Sequence, residues 1–278
     1  MDATSRPLEG KVAWVTGSSR GLGRVIAVHL GRLGAAIVVH GTTPTSTRAF
    51  GEGSSLEQVS RDLADETGAT VLAVHGDLTD PDAVERIVGE IHARFERIDI
   101  LINNAGGDIG AAGTGGPRAG KPEPNDCVFI PIADVRAILD RNLLSCILVC
   151  RAVAPEMIDR RRGWIVNVGS VAAHAGRQEG AIYATAKAGL THYSRCLADQ
   201  LRSANVPVNV VAPGGTVTPR FLAAHEIDPL KLDAVETLDR YGRPEEVARA
   251  VEFLVSEPGP FVSGQVIRVD GGAQAWPA

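Results

Sequence analysis

A tyrosine and a lysine four residues apart stand in the segment Tyr183-Ala184-Thr185-Ala186-Lys187, with Ser170 upstream at the end of an apolar run. On a helix, the phenol and the ammonium lie one turn apart on one face. An unperturbed phenol titrates near ~10, too high for a base at neutral pH, and a nearby ammonium favours the phenolate. Such a pair can donate a proton to a carbonyl oxygen or accept one from a hydroxyl. Far upstream, Thr16-Gly17-Ser18-Ser19-Arg20-Gly21-Leu22-Gly23 follows the strand-like run Val12 to Val15. Residues without a Cβ let the backbone approach a pyrophosphate at a helix N-terminus, where free amides and the dipole favour anions. A phosphate cradle followed by a proton-handling pair is what hydride transfer to a carbonyl needs, so this order points to a dehydrogenase.

The elements that must position these residues are legible along the chain. Lys11 to Thr16 reads as a buried strand and Gly21 to Leu33 as a helix with apolar residues at helical spacing. Ala35 to Val39 is a short β-branched run, as expected of a parallel strand covered on both faces. Helices over Leu56–Thr67 and Pro81–Phe95 flank a strand at Thr70–Val74, with Asp80 as the cap before Pro81. Ile98–Ile102, Trp164–Val168, Val206–Val211 and Gly264–Val269 complete seven strands. Between them lie a long helical region over Ile132–Arg161, expected to bend near Pro155, and helices over Ala181–Ala204 and Pro244–Val255. Pro213 to Leu238 reads as a mixed, mobile segment. Strand and helix alternate without a linker. The expectation is an α/β fold, one doubly wound Rossmann-type domain over residues 1–278 with a mostly parallel seven-stranded sheet.

Read together, these motifs resemble those of the short-chain dehydrogenase/reductase family, along essentially the whole chain. The carriers are the turn Thr16–Gly23, Asn103-Asn104-Ala105-Gly106, Ser170, Tyr183 with Lys187, and Pro213-Gly214. The overall pattern is similar to the 3-oxoacyl-ACP reductase branch. The resemblance implies Tyr183 as general acid and base, Lys187 as the partner that also holds the nicotinamide ribose, and Ser170 as the hydroxyl that polarises the substrate oxygen. It implies that the backbone of Asn142 supports a water chain from the lysine. For the dinucleotide it implies Gly17, Ser19, Arg20, Gly21, Leu22 and Gly23 at the phosphate turn. Asp77 and Leu78 would lie at the adenine, and Asn104, Ala105 and Gly106 along the adenosine ribose side. Pro213, Gly214, Thr216 and Thr218 would lie at the carboxamide. A homotetramer is the assembly it implies.

NAD and NADP differ at the ribose 2′ position, where an acid at the end of the second strand binds a hydroxyl and repels a phosphate. His40-Gly41-Thr42-Thr43 holds no acid there, and Arg20 is a basic residue in the phosphate turn. Thr42, Thr43 and Arg48 add donors. The reading favours NADP(H) over NAD(H).

Two stretches exceed the family pattern, the Thr/Ser/Gly-rich loop 42–55 and the Gly/Pro-rich loop 107–131. The second carries Asp108, Arg118, Lys121, Glu123 and Asp126 near the expected substrate mouth. It is expected to shape the substrate pocket or a subunit contact. His174, Gln178 and Glu179 are further pocket candidates. These polar loops suit a small polar substrate (a sugar, polyol or hydroxy acid) interconverted between secondary alcohol and ketone. Reduction of a 3-oxoacyl thioester is the alternative. A catalytically silent dinucleotide-binding sensor or scaffold is the reading from a different class.

Bulk properties narrow the partners. Net charge is −5 across 278 residues with both signs interspersed, which argues against nucleic-acid binding. No apolar stretch is long enough to span a bilayer. Met1 to Gly10 lacks the pattern of a signal peptide, so the expected location is the cytoplasm. Cys127, Cys146, Cys150 and Cys196 match no zinc spacing, and no metal is expected. Cys146 and Cys150 read as small core residues on one helix face.

Overall fold

The computed structural model describes residues 6–256 and 261–274. Residues 1–5 of the N-terminal stretch, and the parts of the 1–278 span at 257–260 and 275–278, lie outside the described residues. Seven strands form one parallel sheet in the order β3-β2-β1-β4-β5-β6-β7. They are β1 (Val12–Val15), β2 (Ala36–Gly41), β3 (Val71–His75), β4 (Ile100–Asn103), β5 (Trp164–Val168), β6 (Val208–Pro213) and β7 (Val266–Val269). The order reverses between β1 and β4, and the carboxyl ends of strands flanking such a reversal open a crevice for a ligand.

Strand side chains alternate between two cores. Val12 and Trp14 join the cluster containing Ile87, Ile91, Val149 and Leu197. Ala13 and Val15 join the opposite one with Ile26, Leu30, Val251 and Leu254. On the first face lie α3 (Pro81–Phe95), α6 (Ser145–Arg160) and α7 (Ala181–Leu201). On the second lie α1 (Gly21–Arg32), α2 (Leu56–Thr67) and α10 (Pro244–Val255). With both faces covered, the strands need no polar side, which explains their continuous apolar runs. Trp14 is fully buried, so Trp14→Ala removes about 4 kcal/mol of stability by cavity formation.

Local signals set the helix starts. Ser55 Oγ accepts from the Gln58 amide at 3.1 Å to cap α2. Asp80 accepts from the Asp82 amide at 3.0 Å ahead of Pro81 in α3, as expected. Two boundaries differ. The sixth strand begins at Val208 and runs to Pro213, because its pairing with β7 extends to Pro213–Val269. The long helix expected to bend near Pro155 instead leaves α geometry earlier. It is α5 (Ile132–Leu139), a π turn over Asp140–Leu144, then α6 running on through Pro155. The wider turn accommodates Asn142, whose side chain reaches back to the Gly107 backbone rather than outward.

The two long loops are partly ordered by short turns. Loop 42–55 holds a 3₁₀ turn over Ser46–Phe50. Loop 107–131 holds a 3₁₀ turn over Gly113–Gly115 and the single turn α4 (Pro117–Gly120), in which Arg118 and Ala119 have φ of 48° and 56°. Pro213 to Leu238 contains α8 (Pro219–Ala224) and α9 (Pro229–Asp233). Among the described residues, no helix is long and apolar enough to cross a membrane.

Candidate active site

A cleft of about 940 Å³ runs across the carboxyl ends of the strands. The glycine-rich turn joins β1 to α1 at one end. Gly17 has φ +65°, and a Cβ there would lie 2.9 Å from the Ala105 Cα. A Cβ on Gly23 would lie 2.4 Å from Asn104 Nδ2 and 2.6 Å from the Gly17 carbonyl oxygen. The turn is therefore locked against the end of β4, and only glycine fits at both points. Thr16 Oγ1 accepts from the Asn104 and Ala105 amides at 3.0 Å each, and Asn104 Nδ2 donates to the Thr16 carbonyl at 3.0 Å. These bonds commit Asn104 to clamping the turn while it still lines the cleft.

His40 closes the same corner from β2. Its Nδ1 accepts from the Gly17 amide at 3.1 Å, so Nε2 carries the proton and donates to the Gly76 carbonyl at 3.1 Å. Burial pushes the imidazole down to about 4, so it stays neutral, as this bonding requires. Sequence reading treated His40 only as a missing acid. Its role in holding the turn comes from the register that sets β2 beside β1.

The turn fits a dinucleotide pyrophosphate. At the N-terminus of α1 the N-cap residue Arg20 makes no side-chain cap, the first turn holds no acid of its own, the Gly21 amide is taken by Glu52 Oε2 at 2.7 Å, and a Cβ at Gly21 would find only Thr218 Cβ, at 4.0 Å. Ser19, Arg20, Leu22, Thr42, Asp77, Leu78, Gly106, Pro213, Gly214, Thr216 and Thr218 all line the cleft. Asp77 Oδ1 accepts from the Thr79 amide and hydroxyl at 3.0 and 2.9 Å, which fixes its carboxylate at the rim. Thr218 caps α8 by accepting from the Phe221 amide at 3.1 Å.

An acid that sequence reading missed lies beside Arg20. Glu52, from loop 42–55, accepts from the Gly21 amide through Oε2 at 2.7 Å, while Oε1 is buried with no partner. The Arg20 guanidinium donates to the Ser46 carbonyl, stacks 5.4 Å from the Phe50 ring centroid and feels the Glu52 charge. No spacing signal marks Glu52, because the loop fold alone carries it from well beyond β2 back to α1.

At the other end, β5 delivers Ser170 and α7 delivers Tyr183 and Lys187. Ser170 Oγ accepts from the Ala172 amide at 3.1 Å and lies close enough to the Tyr183 phenol to draw its pKa down. Lys187 is buried, and its Nζ donates to the Val168 carbonyl at 2.7 Å. Burial pulls its ammonium down to about 8. Tyr183 departs from expectation in its electrostatics. Burial raises the phenol, the Ser170 hydroxyl opposes that shift, and Arg220 is the main opposing cation. Lys187, with Nζ 5.9 Å from the Tyr183 ring centroid, is turned towards β5. Arg220, in the first turn of α8, carries no sequence signal beyond following Thr218-Pro219.

Asn142 is fully buried behind the cleft wall. Its Oδ1 accepts from the Gly107 amide at 2.8 Å, and its Nδ2 donates to the Gly107 and Ile138 carbonyls, both at 2.9 Å. It pins the start of loop 107–131, from which Asp108, Ile109, Gly113, Thr114 and Lys121 reach the cleft. Glu179 and Arg177 also line it. His174 faces a separate shallow depression with Cys127 and Ala184, and Gln178 is exposed. Cys146 and Cys150 are buried on one face of α6, as expected.

The short chain dehydrogenase family profile matches residues 11–226. The chain is 37% identical over 276 residues to cyclohexanol dehydrogenase of Rhodococcus sp. strain TK6, spanning 96% of this chain and 97% of that one. It is 34% identical over 267 residues to a 3-oxoacyl-(acyl-carrier-protein) reductase of Aquifex aeolicus, spanning 95% and 98%. Among solved structures, 7α-hydroxysteroid dehydrogenase complexed with NADH and 7-oxo glycochenodeoxycholic acid superposes with a TM-score of 0.79 at 29% identity, over 98% of this chain and 97% of that one. Levodione reductase superposes with a TM-score of 0.80 at 27% identity, over 97% and 100%. The chain belongs to the short-chain dehydrogenase family. It is a nicotinamide-dependent oxidoreductase acting on CH–OH groups.

Proposed function

We propose that the protein interconverts a secondary alcohol and a ketone on a small polar substrate, a sugar, polyol or hydroxy acid, with Tyr183 as the proton donor and acceptor. The observation that carries this reading is the meeting of Ser170 and Tyr183 in one cleft, with buried Lys187 one turn further along α7. Burial keeps the phenol protonated at neutral pH, which suits proton donation to a carbonyl oxygen. Ser170 shares that oxygen and holds it facing the phenol. Lys187, anchored by the Val168 carbonyl, keeps a positive charge near the ribose side up to about pH 8. The role carried for Asn142 is backbone support of a water chain from Lys187, and the π turn at Asp140–Leu144 with the side-chain bond to Gly107 supports a backbone held fixed for it. The bound nicotinamide supplies or accepts the hydride. The polar, charged wall of loop 107–131 is what favours a small polar substrate.

NADP(H) remains the favoured nucleotide, because Arg20 lines the cleft and β2 ends without an acid. Glu52 works against that preference, since its carboxylate faces the same guanidinium. The homotetramer is carried forward as the proposed assembly, to be read by light scattering. The second reading, 3-oxoacyl thioester reduction, is supported by the likeness to the Aquifex aeolicus reductase.

The test is Tyr183→Phe. Turnover is expected to fall by at least about 1,000-fold, as for loss of a positioned acid–base group, with dinucleotide affinity nearly intact. Retained turnover in this variant removes the acid–base assignment. A wild-type protein that binds dinucleotide but turns over no alcohol or ketone points to the silent sensor instead.

A further inference from the structure

Beyond Tyr183, the cleft is walled by loop 107–131 and α8, and the wall carries more positive than negative charge. Arg220 Nη2 donates to the Asp108 carbonyl at 2.8 Å, and its Nη1 lies against the Gly107 backbone, 3.1 Å from where a Cβ would stand. Its Nε is buried without a partner, and no carboxylate of the described residues comes within ion-pair distance. Lys121 has a side chain only 7% exposed, and its nearest carboxylate, Glu179, lies 3.7 Å away. That carboxylate is already engaged by Arg118 at 2.5 Å. Asp108 accepts from Asn125 Nδ2 through Oδ2 at 2.8 Å, while its Oδ1 is buried with no partner and its charge acts on both cations from beyond ion-pair distance.

A buried cation with a weak counterion is costly to the fold: Arg220 makes no ion pair and Lys121 has only Glu179, shared with Arg118, so a wall that keeps both is organised for an anion from outside. Burial lowers both Arg220 and Lys121, and the Arg220 charge further lowers Lys121, as expected for cations sharing one poorly solvated corner. Arg220 also acts on the Tyr183 phenol, so this corner adjoins the reacting oxygen.

Resting on the reading of Tyr183 above, we propose that this corner is an anion subsite and that the substrate is a hydroxy acid or its oxo acid. Its carboxylate is held by Arg220 and Lys121, and its hydroxyl or carbonyl oxygen faces Tyr183 and Ser170. In the reductive direction the carbonyl carbon takes a hydride from the reduced dinucleotide, and its oxygen takes the proton of the Tyr183 phenol, leaving the phenolate to be reprotonated from solvent. The product is the hydroxy acid, and the carboxylate is unchanged. Guanidinium and ammonium donors together match a carboxylate. Asp108 and Glu179 in the same wall work against a phosphate dianion. A neutral polyol leaves Arg220 with no ion pair and Lys121 with only the shared Glu179.

The experiment is a binding titration into protein saturated with whichever of NAD⁺ or NADP⁺ binds more tightly, a complex in which a ketone has no hydride to accept. The probes are two matched ketone pairs, 4-oxopentanoate with its methyl ester and 3-oxocyclohexane-1-carboxylate with its methyl ester. At least one acid is expected to bind tenfold or more tighter than its ester. Arg220→Gln is expected to erase that preference, and Lys121→Gln to reduce it about threefold, with dinucleotide affinity changed less than threefold in either. Equal affinity of acid and ester in both pairs, or no binding of any probe, overturns the proposal. So does an Arg220→Gln variant that weakens the dinucleotide as much as the acid, since that gives the guanidinium to the cofactor phosphates. Because the readout is binding, its failure is separate from that of the Tyr183 assignment, which is read by turnover.

Discussion

The two ends of the cleft are built differently. At the nucleotide end, the glycine-rich turn is fixed by core strands. Gly17 and Gly23 abut Ala105 and Asn104 with no room for a methyl group, and Thr16, Asn104 and His40 satisfy the turn's backbone. At the substrate end, Asp108 and Lys121 come from a loop tied down by hydrogen bonds to Asp134, Arg141, Asn142 and Gly180, and Arg220 from a six-residue helix. The first end is close-packed around the glycines, with Glu52 and Arg20 as a facing pair of opposite charges, whereas the second is an arrangement of buried charges dominated by cations, with Arg220 Nε and Asp108 Oδ1 unpartnered. The difference teaches that shape is fixed where every member of the fold must hold the same phosphates, and charge is exposed to the ligand where substrates differ.

The comparison breaks most readily at Gly23. Gly23→Ala places a methyl group against Asn104 and the Gly17 carbonyl. It is expected to cost about 3 kcal/mol in urea unfolding and to weaken the dinucleotide by about 100-fold in a fluorescence titration. An affinity within threefold of wild type would mean that the turn yields, and that the nucleotide end is no more rigid than the loops.

His40 gives an effect of similar size that depends on pH. Its folded-state value near 4 lies below the ordinary 6.5, so the unfolded chain takes up the proton first as pH falls. The stability is fully present above about pH 6.5 and is lost as pH drops towards 4, about 3 kcal/mol in all. Urea midpoints at pH 7.5 and 4.5 measure it, and His40→Gln is expected to flatten the difference. An unchanged slope in that variant would show that other groups carry the acid sensitivity.

Glu52 sharpens the comparison, because it is the one charge that a loop adds to the nucleotide end beside Arg20. Glu52→Gln is expected to raise the ratio of NADPH to NADH affinity about tenfold, the size of one nearby charge–charge interaction at intermediate screening. A ratio that stays put would leave Arg20 alone in charge of the preference. The smallest effect belongs to the loop surface. Arg118 and Glu179 are each about half exposed, so Arg118→Ala should shift thermal stability by no more than about 0.5 kcal/mol. A larger loss would mean that loop 107–131 is packed more firmly than its contacts indicate.

Local chemistry made much of this readable in advance. Strand runs such as Val12–Val15 and Trp164–Val168, the Asp80-Pro81 helix start and the spacing from Ser170 through Tyr183 to Lys187 all follow from short-range rules, and the structure keeps them. The break in the long helix was misplaced because Pro155 is the visible breaker. The actual one, around Asn142, serves a contact with Gly107 that is distant in sequence. The expected pairing of Lys187 with the phenol was read from helical spacing alone. That spacing sets which face a side chain leaves, not which neighbour it bonds, and Lys187 turned to Val168 on β5.

By itself, the sequence determined the alternation of strands and helices, the phosphate turn and the presence of a phenol, a hydroxyl and an ammonium at one cleft, because each is written within one or two turns of chain. Only the tertiary structure decided the charges around them. Glu52 at Gly21, His40 at Gly17 and Arg220 at Tyr183 are each brought together across 23 or more residues by sheet register and loop folding. Electrostatic effects depend on distance and burial, and neither is encoded in local spacing.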